Sequence, residues 1–338
     1  MNPLTYFQNQ NLSITQENNF FQENTALKII LESIWKINFF KNQFRSRERI
    51  HSFTSDDSLI PHDILRLSLI NKLSLNPLQE PKGVFETFLY ILEHLGLSWR
   101  LLKDLPLWNS HFEVNEMAKM ICYRCKMATE YPVERSYGLI INANSVRETK
   151  ADFEKSTFED IVNFIRIDLK MPCDKEGCGS QSYVQRMISK LPTVFTIALE
   201  WDNDETEEEI WDTTSVLVPE IDISVIYQYE GDSEFTKYRL VSMVCSCGDQ
   251  YNCVAYESER VGKNKEEKKR WVRHFGYQKE DTGEWDGVLS MFLELKMRPE
   301  ILFFENIKQR DQIITEEAYE EEEEEEDKEE YKIFKRRR

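Results

Sequence analysis

The sequence predicts an α+β domain, and three observations carry that expectation. Apolar residues recur at helical spacing through the first part of the chain, two cysteine pairs follow among short β-like runs, and the last third holds apolar and β-branched runs suited to buried strands. With 338 residues, 41% hydrophobic and 12% aromatic, the chain can bury a large core.

Taken in order, residues 1–21 are rich in Asn and Gln and poor in aliphatics, which predicts a flexible arm. Leu27, Ile30, Leu31, Ile34, Ile37 and Phe40 then recur at helical spacing, with Asn24 or Thr25 as a cap, so one amphipathic helix is expected over Thr25–Phe44. Further helices are expected over Asp63–Leu73, Gly83–Leu97 and Phe158–Asp168. Strands are expected over Leu191–Trp201, Tyr238–Val244, Cys253–Tyr256 and Glu300–Phe304, where β-branched and aromatic residues dominate. From Gln309 a glutamate run begins that cannot build a core, so 309–338 is expected to be a disordered acidic tail ending in a basic cluster. The folded domain is therefore expected over 22–308.

Charge and hydropathy narrow the function classes. Net charge is −18, and subtracting the −6 of the segment 316–338 leaves a body at −12, which argues against a nucleic-acid-binding surface and for a protein or peptide partner. The longest apolar runs fall far short of the roughly 20 residues a membrane helix needs. Met1–Phe21 lacks a basic stretch followed by an apolar core, so no secretory signal is expected and the cytosol or nucleus is.

In a reducing compartment closely spaced cysteines hold metals more often than they form disulfides. Cys122 and Cys125 form a Cys-x2-Cys knuckle, and Cys173 and Cys178 form a second pair with Gly177 and Gly179 to turn the chain. Four thiolates suit a tetrahedral zinc ion, and four protein ligands leave no open position for water, so a structural zinc is expected. The 47 residues between the pairs exceed a small zinc ribbon, so a larger structure must bring them together. Cys245, Cys247 and Cys253 fall in or beside an expected strand and read as small core residues.

In this order the segments resemble the ubiquitin-specific protease family, and most closely its divergent branch of ubiquitin carboxyl-terminal hydrolase-related proteins, several of which are considered inactive. Glu32-Ser33-Ile34-Trp35 and Phe39-Phe40-Lys41 look like the helix that begins at the family's nucleophile, and the cysteine pairs look like its zinc-binding fingers. Leu191–Trp201, the path from Tyr238 through Gly248 to Tyr256, and Arg298–Glu305 look like its palm strands. The resemblance implies a papain-like cysteine-peptidase fold of thumb, palm and zinc-stapled fingers, with the fingers around 118–190.

The chain departs from the family's pattern at all three catalytic roles. Where the family has a cysteine, the helix phase gives Thr25, or Ala26 when Asn24-Thr25 is the anchor. Its histidine falls at Gln250, counted from Gly248, or at Asn252, counted back from Ala255-Tyr256. Its acid falls at Phe275 or Gly276. A threonine hydroxyl needs a strong base close by, and an amide cannot take a proton at physiological pH. The expectation is an inactive relative kept as a binding module for ubiquitin or a ubiquitin-like protein. Two alternatives stand beside it: a thiol hydrolase rebuilt around Cys253 and His274, and a scaffold without ubiquitin binding that works through its tail.

Overall fold

The computed structural model describes residues 25–37, 83–99, 108–167, 170–202, 204–261, 266–276 and 278–308. The expected helix over Asp63–Leu73, the N-terminal arm and the acidic tail lie outside these residues, as does the helix sequence beyond Ile37.

Six α-helices and thirteen strands are described. The helices are α1 (Thr25–Lys36), α2 (Val84–Trp99), α3 (Ala143–Asp152), α4 (Phe158–Ile167), α5 (Glu207–Thr214) and α6 (Trp285–Glu294). The strands are β1 (Val114–Ile121), β2 (Ala128–Glu130), β3 (Glu134–Ser136), β4 (Leu139–Asn142), β5 (Lys170–Pro172), β6 (Gln181–Ile188), β7 (Val194–Glu200), β8 (Glu220–Asp222), β9 (Lys237–Cys247), β10 (Gln250–Val261), β11 (Glu266–Phe275), β12 (Gln278–Gly283) and β13 (Arg298–Asn306).

Eight strands form the main sheet in the order β12-β11-β10-β9-β13-β7-β4, with β8 added beside β9. All its pairings are antiparallel except β4 with β7. Both faces are covered, which explains why β7 and β13 read as continuous apolar runs instead of alternating. Ile301 and Phe303 of β13 face α1 and α2, together with Cys253 and Ala255 of β10 and with Leu27, Ile30, Ile34 and Phe88. Leu302 and Phe304 point the other way, into a larger core with Phe158, Ile161, Phe195, Tyr238 and Phe292.

Gly138, at the approach to β4, shows how closely the chain passes here. A Cβ at this position would sit 2.7 Å from the Thr196 carbonyl oxygen of β7, and its φ is +156°, so only glycine fits.

The smaller sheet runs β2-β1-β6-β5, with β3 also on β1. Two separated segments build it, 114–136 and 170–188, and the chain between them returns to the main sheet as β4, α3 and α4. Helices and strands are thus interleaved, where the sequence suggested helices first and strands later. Three helices were absent from that reading: α3, α5 and α6. Two carry sequence-level caps: the Asn142 side chain accepts from the amides of Asn144 and Ser145, and Thr206 with Glu209 forms a capping box. Low apolar periodicity hid α3 and α5.

Candidate functional site

Helix α1 lies across β9 and β10 so closely that backbone and side chain interlock. Ser33 is fully buried, its carbonyl accepts from the Ser242 hydroxyl at 2.8 Å, and its own hydroxyl donates to the Met243 carbonyl at 3.5 Å. A small polar residue is required where a helix touches a strand this closely.

The helix is thereby aimed at the loop ends of three strands. Thr25 is its first residue and Ala26 packs on the core beside it. One turn on, the Lys28 ammonium donates to the Gly276 carbonyl at 3.5 Å, so the helix start and the β11–β12 turn meet. Gln250 is exposed and opens β10 after the turn at Gly248, whose φ is +59°. Asn252, two residues on, is buried, and its side-chain oxygen accepts from Arg273 Nε at 3.1 Å. The same guanidinium lies 4.2 Å from the Phe275 ring centroid and bonds Glu280 at 3.1 Å. The sequence-predicted positions therefore contribute a hydroxyl, two amides, a phenyl ring and a glycine. Arg273 links Asn252 to Phe275.

Cys253 and His274 are direct cross-strand partners in the β10–β11 pair, as a rebuilt thiol site would need. Their side chains are nevertheless committed elsewhere. His274 is 3% exposed and held at both nitrogens, Nδ1 to Glu32 at 3.1 Å and Nε2 to Glu257 at 3.0 Å. Burial works against charging the ring, but the bonds to Glu257 and Glu32 outweigh it and raise its pKa. The Cys253 thiol is wholly buried under α1, and that burial pushes its pKa up to about 12. The thiolate half of a thiolate–imidazolium pair is therefore missing, and the imidazole is committed to two carboxylates instead of the thiol.

This buried charge cluster was missed in the sequence. Glu32 and Lys36 are four apart on α1, a spacing that signals a shared helix face, but nothing local says that the face meets β10 and β11. Lys36 bonds Glu257 at 2.5 Å, so two cations and two carboxylates balance. Burial raises the pKa of both Glu32 and Glu257, yet His274 and Lys36 hold both below the usual carboxylate range.

The four cysteines predicted as ligands come together at the end of the smaller sheet. Cys122 Sγ lies 3.7 Å from Cys178 Sγ and Cys125 Sγ 3.6 Å from Cys173 Sγ, and all four sulfurs fall within 4.8 Å of one another. A tetrahedron with Zn–S bonds of about 2.3 Å has edges of about 3.8 Å, so the quartet fits a metal ion of that size. Each pair sits on a tight turn. Lys126 adopts φ +60°, and Gly177 and Gly179 adopt +75° and +56°, the left-handed region that glycine enters without strain. The Cys125 amide points at Cys122 Sγ at 3.5 Å and lowers that thiol's pKa to about 6, with the Arg124 amide adding to the effect.

Comparison with known proteins bears on both features. A family model described as ubiquitin carboxyl-terminal hydrolase matches residues 10–274. No curated protein sequence matches the chain. Among solved structures, the SAGA DUB module of Ubp8, Sgf11, Sus1 and Sgf73, from yeast, matches with a TM-score of 0.52 at 14% identity, covering 83% of this chain and 66% of that one. The same module bound to monoubiquitin matches at TM-score 0.51 and 13% identity, covering 84% and 67%. The PAN2 pseudoubiquitin-hydrolase of Saccharomyces cerevisiae matches at TM-score 0.44 and 15% identity, covering 70% and 66%. At such identities the likeness is one of fold, and the chain spans about two thirds of the length of these neighbours.

Proposed function

This chain belongs to the ubiquitin carboxyl-terminal hydrolase family, and from that premise we propose that it is a non-hydrolytic member, spanning residues 22–308, that binds ubiquitin or a ubiquitin-like protein. The observation that carries the first half is the state of the cross-strand thiol and imidazole that lie beside α1 among the described residues. Cys253 is buried and protonated, and His274 is pinned between two carboxylates. Thr25, Gln250, Asn252 and Phe275 supply no nucleophile, base or orienting acid in their place.

The second half rests on the scaffold. Recognition of a protein surface is separable from bond cleavage, and the fold is shared with a module whose structure contains monoubiquitin. The ion held by Cys122, Cys125, Cys173 and Cys178 is Zn²⁺ on this reading. It supplies structural cross-linking only, because four thiolates fill its coordination sphere. The four side chains fix the ends of two turns that the short strands alone would leave weakly held. A cytosolic or nuclear location accompanies the reading, since the thiolates need a reducing compartment.

The test is ubiquitin carrying a fluorophore on its C-terminal amide, mixed with the full chain and followed by anisotropy over hours. A stable rise is expected. A fall, from release of the small dye, would mean that the chain cleaves. A flat trace would remove ubiquitin as the partner and favour a scaffold.

A further inference from the structure

A cavity of about 450 Å³ opens between α4, β6 and the segment 224–228, and none of the four cysteines and no residue of α1 lines it. Its size is that of a small-ligand pocket. Only two charged side chains line it, Arg166 of α4 and Arg186 of β6. Both guanidiniums pair with the Glu116 carboxylate behind them. Two cations against one anion leave one positive charge over, in a chain whose net charge is −18.

Three donor atoms of this corner lack an acceptor. The Nε atoms of Arg166 and Arg186 and the hydroxyl of Tyr227 are buried and make no hydrogen bond. Tyr227 is 2% exposed, and its ring carries the Arg166 guanidinium 4.8 Å from the centroid. Burial foremost raises the Tyr227 pKa, and the Glu116 carboxylate beside its hydroxyl adds to the effect, but the hydroxyl completes no hydrogen bond of good geometry. Buried donors left unmade are costly, and three around one cavity mark a place that lacks an anionic oxygen. The mouth differs in character: Ile167, Tyr183 and Val225 are exposed there, and the Lys170 ammonium lies 4.7 Å from the Tyr183 ring centroid.

We propose that this cavity binds a carboxylate, the side chain of a glutamate or aspartate on an acidic peptide segment. A guanidinium fork matches a carboxylate's geometry. The surplus charge of Arg166 and Arg186 over Glu116 balances a carboxylate, and the apolar mouth accepts the methylenes that carry it. Two sources share this chemistry: the chain's own run of twelve acids over 316–330, and an acidic segment of another protein.

The test uses a fluorescent peptide of the sequence 316–330 and the full chain in two forms, intact and with those twelve acids replaced by their amides. The amide form is expected to bind the peptide. Arg186→Gln is expected to weaken binding at least tenfold and Tyr227→Phe at least threefold. Tyr227→Phe deletes a hydroxyl that completes no well-formed hydrogen bond, so it tests the site even if Arg186→Gln misfolds. If the intact chain binds the peptide several-fold more weakly than the amide form, its own run occupies the site; equal binding assigns the site to another protein's acids. Absence of binding to the amide form would overturn the proposal. So would binding that both variants leave unchanged, which would assign the peptide to the basic residues 332–338 instead.

Discussion

Replacing His274 with glutamine tests whether the buried charge cluster locks α1 onto the sheet. The protonated ring donates to Glu32 at 3.1 Å and to Glu257 at 3.0 Å. Hydrogen bonds to charged groups contribute about 1.5–3 kcal/mol each, so the pair is worth about 3–6 kcal/mol. Glutamine can donate to one carboxylate only, which recovers about half of this, and Lys36 still neutralises Glu257. The expected deficit of His274→Gln is therefore about 1.5–3 kcal/mol while the wild-type ring is charged. The sign with pH follows from the directions of the shifts. The raised His274 pKa stabilises the fold fully below the ordinary histidine value of about 6.5, and this is lost as pH rises through the folded value. The lowered pKa values of Glu32 and Glu257 stabilise it above the ordinary glutamate value of about 4.3, and this is lost as pH falls through their folded values. Neutral imidazole has one N–H, so at high pH wild type and variant each have a single donating nitrogen and reach one carboxylate only. Urea unfolding of both proteins at pH 5.5 and pH 9 reads the difference. The deficit should shrink to within about 1 kcal/mol at pH 9. An equal deficit at both values, or one that grows with pH, would refute the assignment of His274 as a charged clamp.

Other consequences can be measured directly. Metal analysis is expected to find one zinc per chain; Cys125→Ser should abolish it, and chelation of the wild type should lower the melting temperature while proteolysis concentrates in 114–136 and 170–188. Phe88 is fully buried, with its ring 5.4 Å from both Phe112 and Phe303, so Phe88→Ala should cost about 3–5 kcal/mol in urea unfolding. With its thiol pushed to about 12, Cys253 should resist a thiol-specific reagent at pH 8 in the native chain and react after unfolding, as read by mass spectrometry. Gly138→Ala would drive a Cβ against the Thr196 carbonyl at 2.7 Å, and a loss of about 2 kcal/mol or more is expected from the forced shift of β4 on β7.

Sequence and structure divide the remaining questions along physical lines. Periodicity located α1, α2 and α4, whose apolar faces are wide, and missed α3 and α5, whose faces are narrow or polar and which start at side-chain caps; it also missed the short α6, which is apolar but has no side-chain cap to mark its start. The strand cores of β7, β9, β10 and β13 were legible because the sheet is buried on both faces. The strands β11 and β12 were not, since charged residues such as Lys268, Arg270, Lys279 and Glu280 fill them.

The sequence by itself determined the metal quartet and the family resemblance, because knuckle spacing and ordered motifs are local properties of the chain. It also determined that Thr25, Gln250, Asn252 and Phe275 hold side chains without the chemistry of a thiol hydrolase. Only the tertiary structure decided what surrounds Cys253 and His274, since burial under α1 and the opposing carboxylates Glu32 and Glu257 arrive from elements far apart in sequence. The cavity between Arg166, Arg186 and Tyr227 belongs to the same class. Its surplus charge and unmet donors exist only where helix, strand and loop meet, and no window of sequence contains them.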